Sequence, residues 1–235
     1  MPIDPIGASR DAGKRAAAEA AVAELRDGMI VGLGTGSTMA FVIASLGVRT
    51  RQGLCVDAVA TSVATSGAAA RAGLRVVNFA ALDHVDLAID GADEIDPRCR
   101  AIKGAGGAML REKIVAAAAG RMIAVVDDSK LVEQLGRGAL PIEVLPFALT
   151  VVSRAVERLG ATVTERCSPA GPFRTDQGNA VIDCRFAAIA APERLAEALS
   201  SIPGILGHGL FLTEIDAVYV GGADRTRCLE RSAVE

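Results

Sequence analysis

Apolar and polar positions along the chain fall into two alternating kinds of block. Short apolar runs end in glycine or polar breaks and are followed by Ala-rich stretches with charges along one side. The runs at Met29–Leu33, Leu54–Ala60, Leu74–Asn78, Val85–Asp90 and Met122–Asp127 predict strands. Between them, 11–26, Met39–Leu46, Ser62–Ala72 and Gly107–Ala119 read as helices, with Asp27-Gly28 and Gly73 as stops. Strands alternating with helices at these lengths predict a Rossmann-like parallel sheet covered on both faces.

After about Gly136 the rhythm changes. Strands are expected at Ile142–Leu145, Thr162–Arg166, Ala180–Arg185 and near Gly209–Leu212, with helices at Thr150–Leu159 and Pro192–Ser201. The order β-α-β-β-α-β predicts a smaller, ferredoxin-like α+β unit. Ala217–Val220 reads as one more buried strand returning to the first sheet. The expected division is therefore an α/β unit over 1–135 plus 216–235 and an α+β unit over 136–215.

Composition narrows the function classes. Apolar residues make up 51% of the 235, enough for a substantial core and against disorder. A formal net charge of -3, 3% aromatic residues and no Trp leave neither a basic footprint nor stacking platforms for nucleic acid. The five cysteines are scattered without a C-x-x-C pair, and there are two histidines. Buried reduced thiols are the expectation, rather than disulfides or a zinc site. Residues 1–15 carry charge and do not read as a signal peptide, and no run reaches the ~18 apolar residues of a membrane span. The expected location is the cytoplasm.

Four segments place glycine or polar residues just after an apolar strand, where open parallel sheets bind ligands. In the first, Gly32 to Thr38, glycines allow a sharp turn, the next helix offers unpaired N–H groups, and Ser37 and Thr38 add hydroxyls. Phosphate is the natural guest, although the same residues also suit a plain capped helix start. Neither the Walker nor the G-x-G-x-x-G pattern is met. The second, Asp90-Gly91-Ala92-Asp93-Glu94-Ile95-Asp96, gathers four carboxylates at the end of a strand. It reads as a site, an acidic surface loop or a magnesium site. The third, Lys103 to Lys113, feeds a glycine-rich turn into a helix, with Glu112 on the face of Ala108. Alone, Glu112 would be an ordinary exposed helix glutamate. The fourth, Asp127-Asp128-Ser129-Lys130, offers Lys130 as a phosphate partner; Lys14 is weaker by spacing.

Taken together, these motifs resemble ribose-5-phosphate isomerase of the A type. They are G-x-G-T-G-S-T at Gly32–Thr38, D-G-A-D-E at Asp90–Glu94, K-G-x-G-G-A-x-x-R-E-K at Lys103–Lys113 and D-x-S-K at Asp127–Lys130. L-P-I-E-V at Leu140–Val144, G-N-A-V-I-D at Gly178–Asp183 and the Ile202–Phe211 run extend the resemblance from Lys14 to about Gly221. It implies an aldose-ketose isomerase that interconverts ribose 5-phosphate and ribulose 5-phosphate through an enediolate, in the non-oxidative branch of the pentose phosphate pathway. Glu112 would be the general base, Lys103 and Asp93 would hold and polarise substrate oxygens, and Asp90 would assist opening of the sugar ring. Lys14, Ser37, Thr38 and Lys130 would bind phosphate, with Thr35 and Gly36 nearby. The backbone of Gly104, Ala105, Gly106, Gly107 and Ala108 would stabilise the oxyanion. The resemblance further implies no metal or organic cofactor and a homodimer or homotetramer. Competing readings are an acyl- or CoA-transferase with a nucleophilic glutamate, and a non-catalytic sugar-phosphate sensor.

Overall fold

The computed structural model describes residues 5–222 and 225–232. In chain order the first strands and helices are α1 (Pro5–Ala23), β1 (Ile30–Leu33), α2 (Ser37–Arg51), β2 (Asp57–Ala60), α3 (Val63–Arg71), β3 (Arg75–Val76) and β4 (Val85–Asp90). Then come β5 (Glu94–Ile95), β6 (Ala101–Ile102), α4 (Met109–Ala117), β7 (Ala119–Asp127), β8 (Leu140–Val144), α5 (Leu149–Arg158) and β9 (Thr162–Glu165). The rest are β10 (Cys167–Ser168), β11 (Gly171–Pro172), β12 (Ala180–Arg185), α6 (Pro192–Ser200), β13 (Ile205–His208), β14 (Leu210–Phe211), β15 (Ala217–Gly221) and β16 (Thr226–Glu230).

The central sheet has the order β16-β15-β7-β4-β1-β2-β3 and is parallel except for β16. Its strands bury both faces with the two-residue period of a strand. In β7, Ile123 and Val125 join the core under α1 and α2, while Met122, Ala124 and Val126 join the core on the α4 side. The chain leaves β1 towards β2 on one side, while β4 lies against β1 on the other. The ends of β1 and β4 thus form the topological switch point, where a crevice is expected.

The second sheet has the order β13-β8-β12-β9 and is antiparallel throughout, the ferredoxin-like arrangement. Leu140, Ile142, Val144, Ile182 and Cys184 pack from one of its faces onto Val152 and Val156 of α5 and Leu199 of α6. Its closing strand is Ile205–His208, not Gly209–Leu212 as expected. Gly209 is where the chain changes sheets. Its N–H donates to the Pro141 carbonyl, its carbonyl accepts from Lys103, and a Cβ there would lie 2.2 Å from the Lys103 oxygen. Leu210–Phe211 then joins a three-stranded sheet with β6 and β5.

Other boundaries moved as well. The first helix runs from Pro5 to Ala23 rather than over 11–26, and Gly28 takes a left-handed turn before β1. The edge strand β16 carried no apolar signature. Cys99 and Cys184 are buried, but Cys55, Cys167 and Cys228 are exposed, against the expectation of burial, because they lie in a loop and on edge strands. Among the described residues, no helix is long and apolar enough to cross a membrane.

Candidate active site

Three strand ends deliver the site. After β1, Gly34 must pass over the Asp90 carboxylate; a Cβ on Gly34 would lie 1.8 Å from the Asp90 Cγ, so no side chain fits. Gly36 has φ 117°, a region that suits glycine, and it is the residue that caps α2. No side chain caps this helix, so Ser37 and Thr38 keep their hydroxyls for other partners. The loop is braced from behind by hydroxyls. Thr61 Oγ1 donates to the Leu33 carbonyl at 3.2 Å and lies 2.9 Å from Thr35 Oγ1. Thr65 Oγ1 donates to the Gly34 carbonyl at 2.8 Å. Thr61 and Thr65 were not among the expected site residues.

The acidic segment after β4 is not a surface loop, and each buried carboxylate has its own partner. Glu94 accepts from the N–H groups of Gly136, Arg137 and Gly138. Asp96 pairs with Arg100 at 2.6 Å. Asp90 Oδ1 accepts from the N–H groups of Thr35 (3.2 Å) and Gly91 (2.7 Å), while its Oδ2 lies 2.8 Å from Lys103 Nζ. Asp93 Oδ2 accepts from the Ala105 N–H at 2.9 Å and so ties this segment to the glycine turn.

Glu112 lies in the first turn of α4, which starts at Met109 rather than Gly107, and its side chain is 3% exposed. It does not pair with a neighbour on its own helix. Its Oε2 is 3.1 Å from Lys103 Nζ, an ion pair without hydrogen-bond alignment, and among the described residues that oxygen has no hydrogen-bond donor. Burial pushes the Glu112 pKa up to about 8, with help from the Asp90 charge, while Lys103 pulls the other way. Burial likewise raises the Asp90 carboxyl against the pull of Lys103. Burial opposes the charge on Lys103 itself, but Asp90 and Glu112 together outweigh it and hold the ammonium above the usual lysine value. Lys103 also donates to the Gly91 carbonyl. The result is one buried cation shared by two buried carboxylates.

At the third strand end, Asp127 opens the short turn Asp128–Lys130 by accepting from Ser129. Burial works to raise its pKa, but the Ser129 hydrogen bonds and the charges of Lys14 and Lys130 prevail and lower it. Lys14 reaches in from α1, with Nζ 3.6 Å from Asp127 Oδ2.

These elements enclose a cavity of about 320 Å³ lined by Lys14, Thr35, Gly36, Ser37, Thr38, Gly91, Ala92, Asp93, Lys103, Gly104, Ala105, Gly106, Glu112 and Lys130. It is in the size class of small-ligand sites. Three expected site residues, Asp90, Gly107 and Ala108, do not line it. Asp90 lies beneath, occupied by Lys103 and the β1 loop. Gly107 and Ala108 face an adjoining cleft, where Phe173 leaves no room for a Cβ on Gly107. The cavity is polarised. Lys14, Lys130 and the α2 N-terminus make one positive end. The Glu112–Lys103 pair and the glycine turn form the other.

The chain is similar to known proteins over most of its length. Residues 57–225 match the family described as ribose 5-phosphate isomerase A (phosphoriboisomerase A). The chain is 51% identical over 218 residues to ribose-5-phosphate isomerase A of Sphingopyxis alaskensis, covering 93% of this chain and 96% of the relative. It is 47% identical to the protein of that name from Thermomicrobium roseum, covering 93% and 94%. Among solved structures, ribose 5-phosphate isomerase A of Methanocaldococcus jannaschii superposes with a TM-score of 0.88 at 38% identity, over 92% of this chain and 97% of the other. A D-ribose-5-phosphate isomerase in complex with phospho-erythronic acid superposes at 0.92 with 36% identity, over 94% and 99%. With its β1 loop, its buried Lys103 pair and its sheet order in the same chain, the protein belongs to the ribose 5-phosphate isomerase A family.

Proposed function

We propose that this chain interconverts ribose 5-phosphate and ribulose 5-phosphate through an enediolate, with Glu112 carrying the proton. One observation carries this reading above the others. Glu112 is buried, raised in basicity and short of a hydrogen-bond donor, and it faces a cavity whose far end is built for an anion. In the open-chain aldose, Glu112 takes the proton on C2. The C–H electrons form the C1–C2 double bond, and the carbonyl electrons move onto O1. The charge on O1 is met by Lys103 and by the turn at Gly104–Gly106. Glu112 then returns the proton to C1, the 2-hydroxyl releases its own, and O1 gains one, which leaves the ketose. Asp93, tied to Ala105, holds substrate hydroxyls on the same wall. Asp90 acts through Lys103, as both its oxygens are engaged.

The phosphate end supplies binding energy away from the reacting carbons, which is used for positioning. Charge-assisted hydrogen bonds of this kind contribute roughly 1.5–3 kcal/mol. Lys130→Ala is therefore expected to raise KM about ten- to a hundred-fold with little change in kcat, measured by steady-state kinetics. A pure loss of kcat would count against a phosphate role.

Glu112 must be ionised to act. The ascending limb of kcat/KM against pH, which reports the free enzyme, should therefore lie well above the ordinary carboxylate range, with its midpoint at about 8 and its plateau above that. A limb at pH 4–5 would show an ordinary, solvated glutamate.

The direct test follows ketose formation from ribose 5-phosphate with EDTA present. Turnover is expected; none would overturn the assignment, and turnover lost only with EDTA would show a metal requirement. The same reading places the chain in the cytoplasm, in the non-oxidative branch of the pentose phosphate pathway, as a homodimer or homotetramer. It assigns catalysis to 1–135 plus 216–235 and a supporting role to 136–215.

A further inference from the structure

The turn that faces the reacting oxygen is held from outside the cavity by a side chain of the antiparallel sheet. Arg166 follows β9, and its Nη1 donates to two successive carbonyls, Gly104 and Ala105, at 3.0 Å each. The guanidinium is fixed in turn. Its Nε donates to Asp183 Oδ2 at 2.9 Å, its Nη2 donates to Asp183 Oδ1, and it lies 5.7 Å from the centre of the Phe173 ring. Phe173 closes the same turn over Gly107.

A trans peptide is planar, with its C=O and the following N–H on opposite sides. Drawing the Gly104 carbonyl to Arg166 therefore sends the Ala105 N–H the other way, where it meets Asp93 at 2.9 Å. Drawing the Ala105 carbonyl to Arg166 sends the Gly106 N–H away as well. Among the described residues the Gly106 N–H has no acceptor, and Gly106 lines the cavity. The Gly107 N–H also donates to the Gly104 carbonyl at 2.9 Å and closes the turn, but this leaves the central Ala105–Gly106 peptide free to rotate, since glycine opposes few backbone conformations. Preorganised donors are effective because they need no reorganisation as charge develops.

We infer that Arg166 is a positioning residue for the isomerisation: by clamping the carbonyls of Gly104 and Ala105 it holds the Ala105 N–H on Asp93 and aims the Gly106 N–H at the developing enediolate oxygen. This rests on the proposed function. It adds that the α+β unit takes part in transition-state stabilisation, not only in folding.

The test compares Arg166→Gln and Arg166→Lys with the wild type. Four quantities are measured: kcat, KM for ribose 5-phosphate, inhibition by phospho-erythronic acid and inhibition by inorganic phosphate. The planar carboxylate of phospho-erythronic acid puts charge where the enediolate carries it, while inorganic phosphate reports the far end alone. Misaligned donors cost about ten- to a hundred-fold. Arg166→Gln should lower kcat by that factor and weaken phospho-erythronic acid comparably, with KM and inorganic phosphate within about three-fold. Arg166→Lys keeps the charge but cannot fork to Asp183 and two carbonyls, so it should recover only part of the loss. A kcat within two-fold for Arg166→Gln, or full activity for Arg166→Lys, would overturn the clamp. So would a parallel loss of all four quantities together with thermal stability, which is the mark of a purely structural role. Should Arg166→Gln fail to fold, Arg166→Lys still decides through the split between the two inhibitors. An inactive wild type would instead overturn the proposed function.

Discussion

Glu112→Gln is expected to lower kcat for ribose 5-phosphate by about 10³-fold or more while leaving substrate affinity within several-fold. General-base catalysis by a positioned side chain contributes typically 10²–10⁴-fold, and no other carboxylate in the cavity is placed to substitute. Asp90 is spent on Lys103 and the β1 loop, and Asp93 accepts from Ala105. Glutamine keeps the shape and an oxygen for Lys103 but cannot accept a proton. A 10³-fold loss corresponds to about 4 kcal/mol of barrier. Folding should suffer little, because the substitution removes one of two buried carboxylates that share a single cation. Two measurements check this. Calorimetric binding of phospho-erythronic acid should survive, whereas uptake of solvent deuterium into the sugar should disappear with turnover. Residual activity above about a tenth of wild type, a loss of barely 1.4 kcal/mol, would mean that another group is the base.

Much of this site was legible because its parts are local. Gly34 and Gly36 mark a backbone that passes close to something, and an apolar strand before them marks the end of a sheet. The same holds for Asp90 after β4 and Lys130 after β7. What sequence could not supply was the pairing. The acidic segment after β4 also suited a surface loop or a magnesium site, and its carboxylates instead find partners from four places: Lys103, Arg100, the Gly136–Gly138 backbone and Ala105. Only the Asp96–Arg100 pair lies within helical spacing in the chain. Arg166 contacts a turn more than sixty residues earlier, and nothing near it marks it as part of a site. The two-residue strands β5, β6 and β14 are too short to show a period. They nevertheless decide the fold locally, because they draw Lys103 and Gly209 together. In the same way, Glu112 read as an exposed helix residue because its burial comes from segments distant in sequence.

Lys103→Met should be the most damaging substitution in the molecule, and it separates two roles that coincide in one ammonium. Methionine fills the volume but leaves Asp90 and Glu112 buried without their cation. Breaking a buried pair by removing one partner costs about 3–5 kcal/mol. For a chain of this size that lowers Tm by roughly 6–20 °C. The pH dependence has a definite sign. Without Lys103 both carboxyls take up protons more readily in the folded than in the unfolded chain. Stability is then fully present below the ordinary carboxylate pKa and is lost as pH rises through the raised folded values. The deficit against wild type should therefore shrink towards pH 4 and grow above neutrality, as followed by thermal melts across pH. Turnover should fall by about 10²–10³-fold from the lost oxyanion donor alone. At neutral pH it should fall further, because the loss of Lys103 raises the Glu112 carboxyl still more and leaves an even smaller fraction of it ionised. Adding Asp90→Asn resolves the two roles. Asparagine still accepts from Thr35 and Gly91 but carries no charge, so the double variant should regain much of its stability. It should regain no activity, since the cation that meets the enediolate is still missing. Recovery of turnover along with stability would show that Lys103 serves the fold and not the reaction.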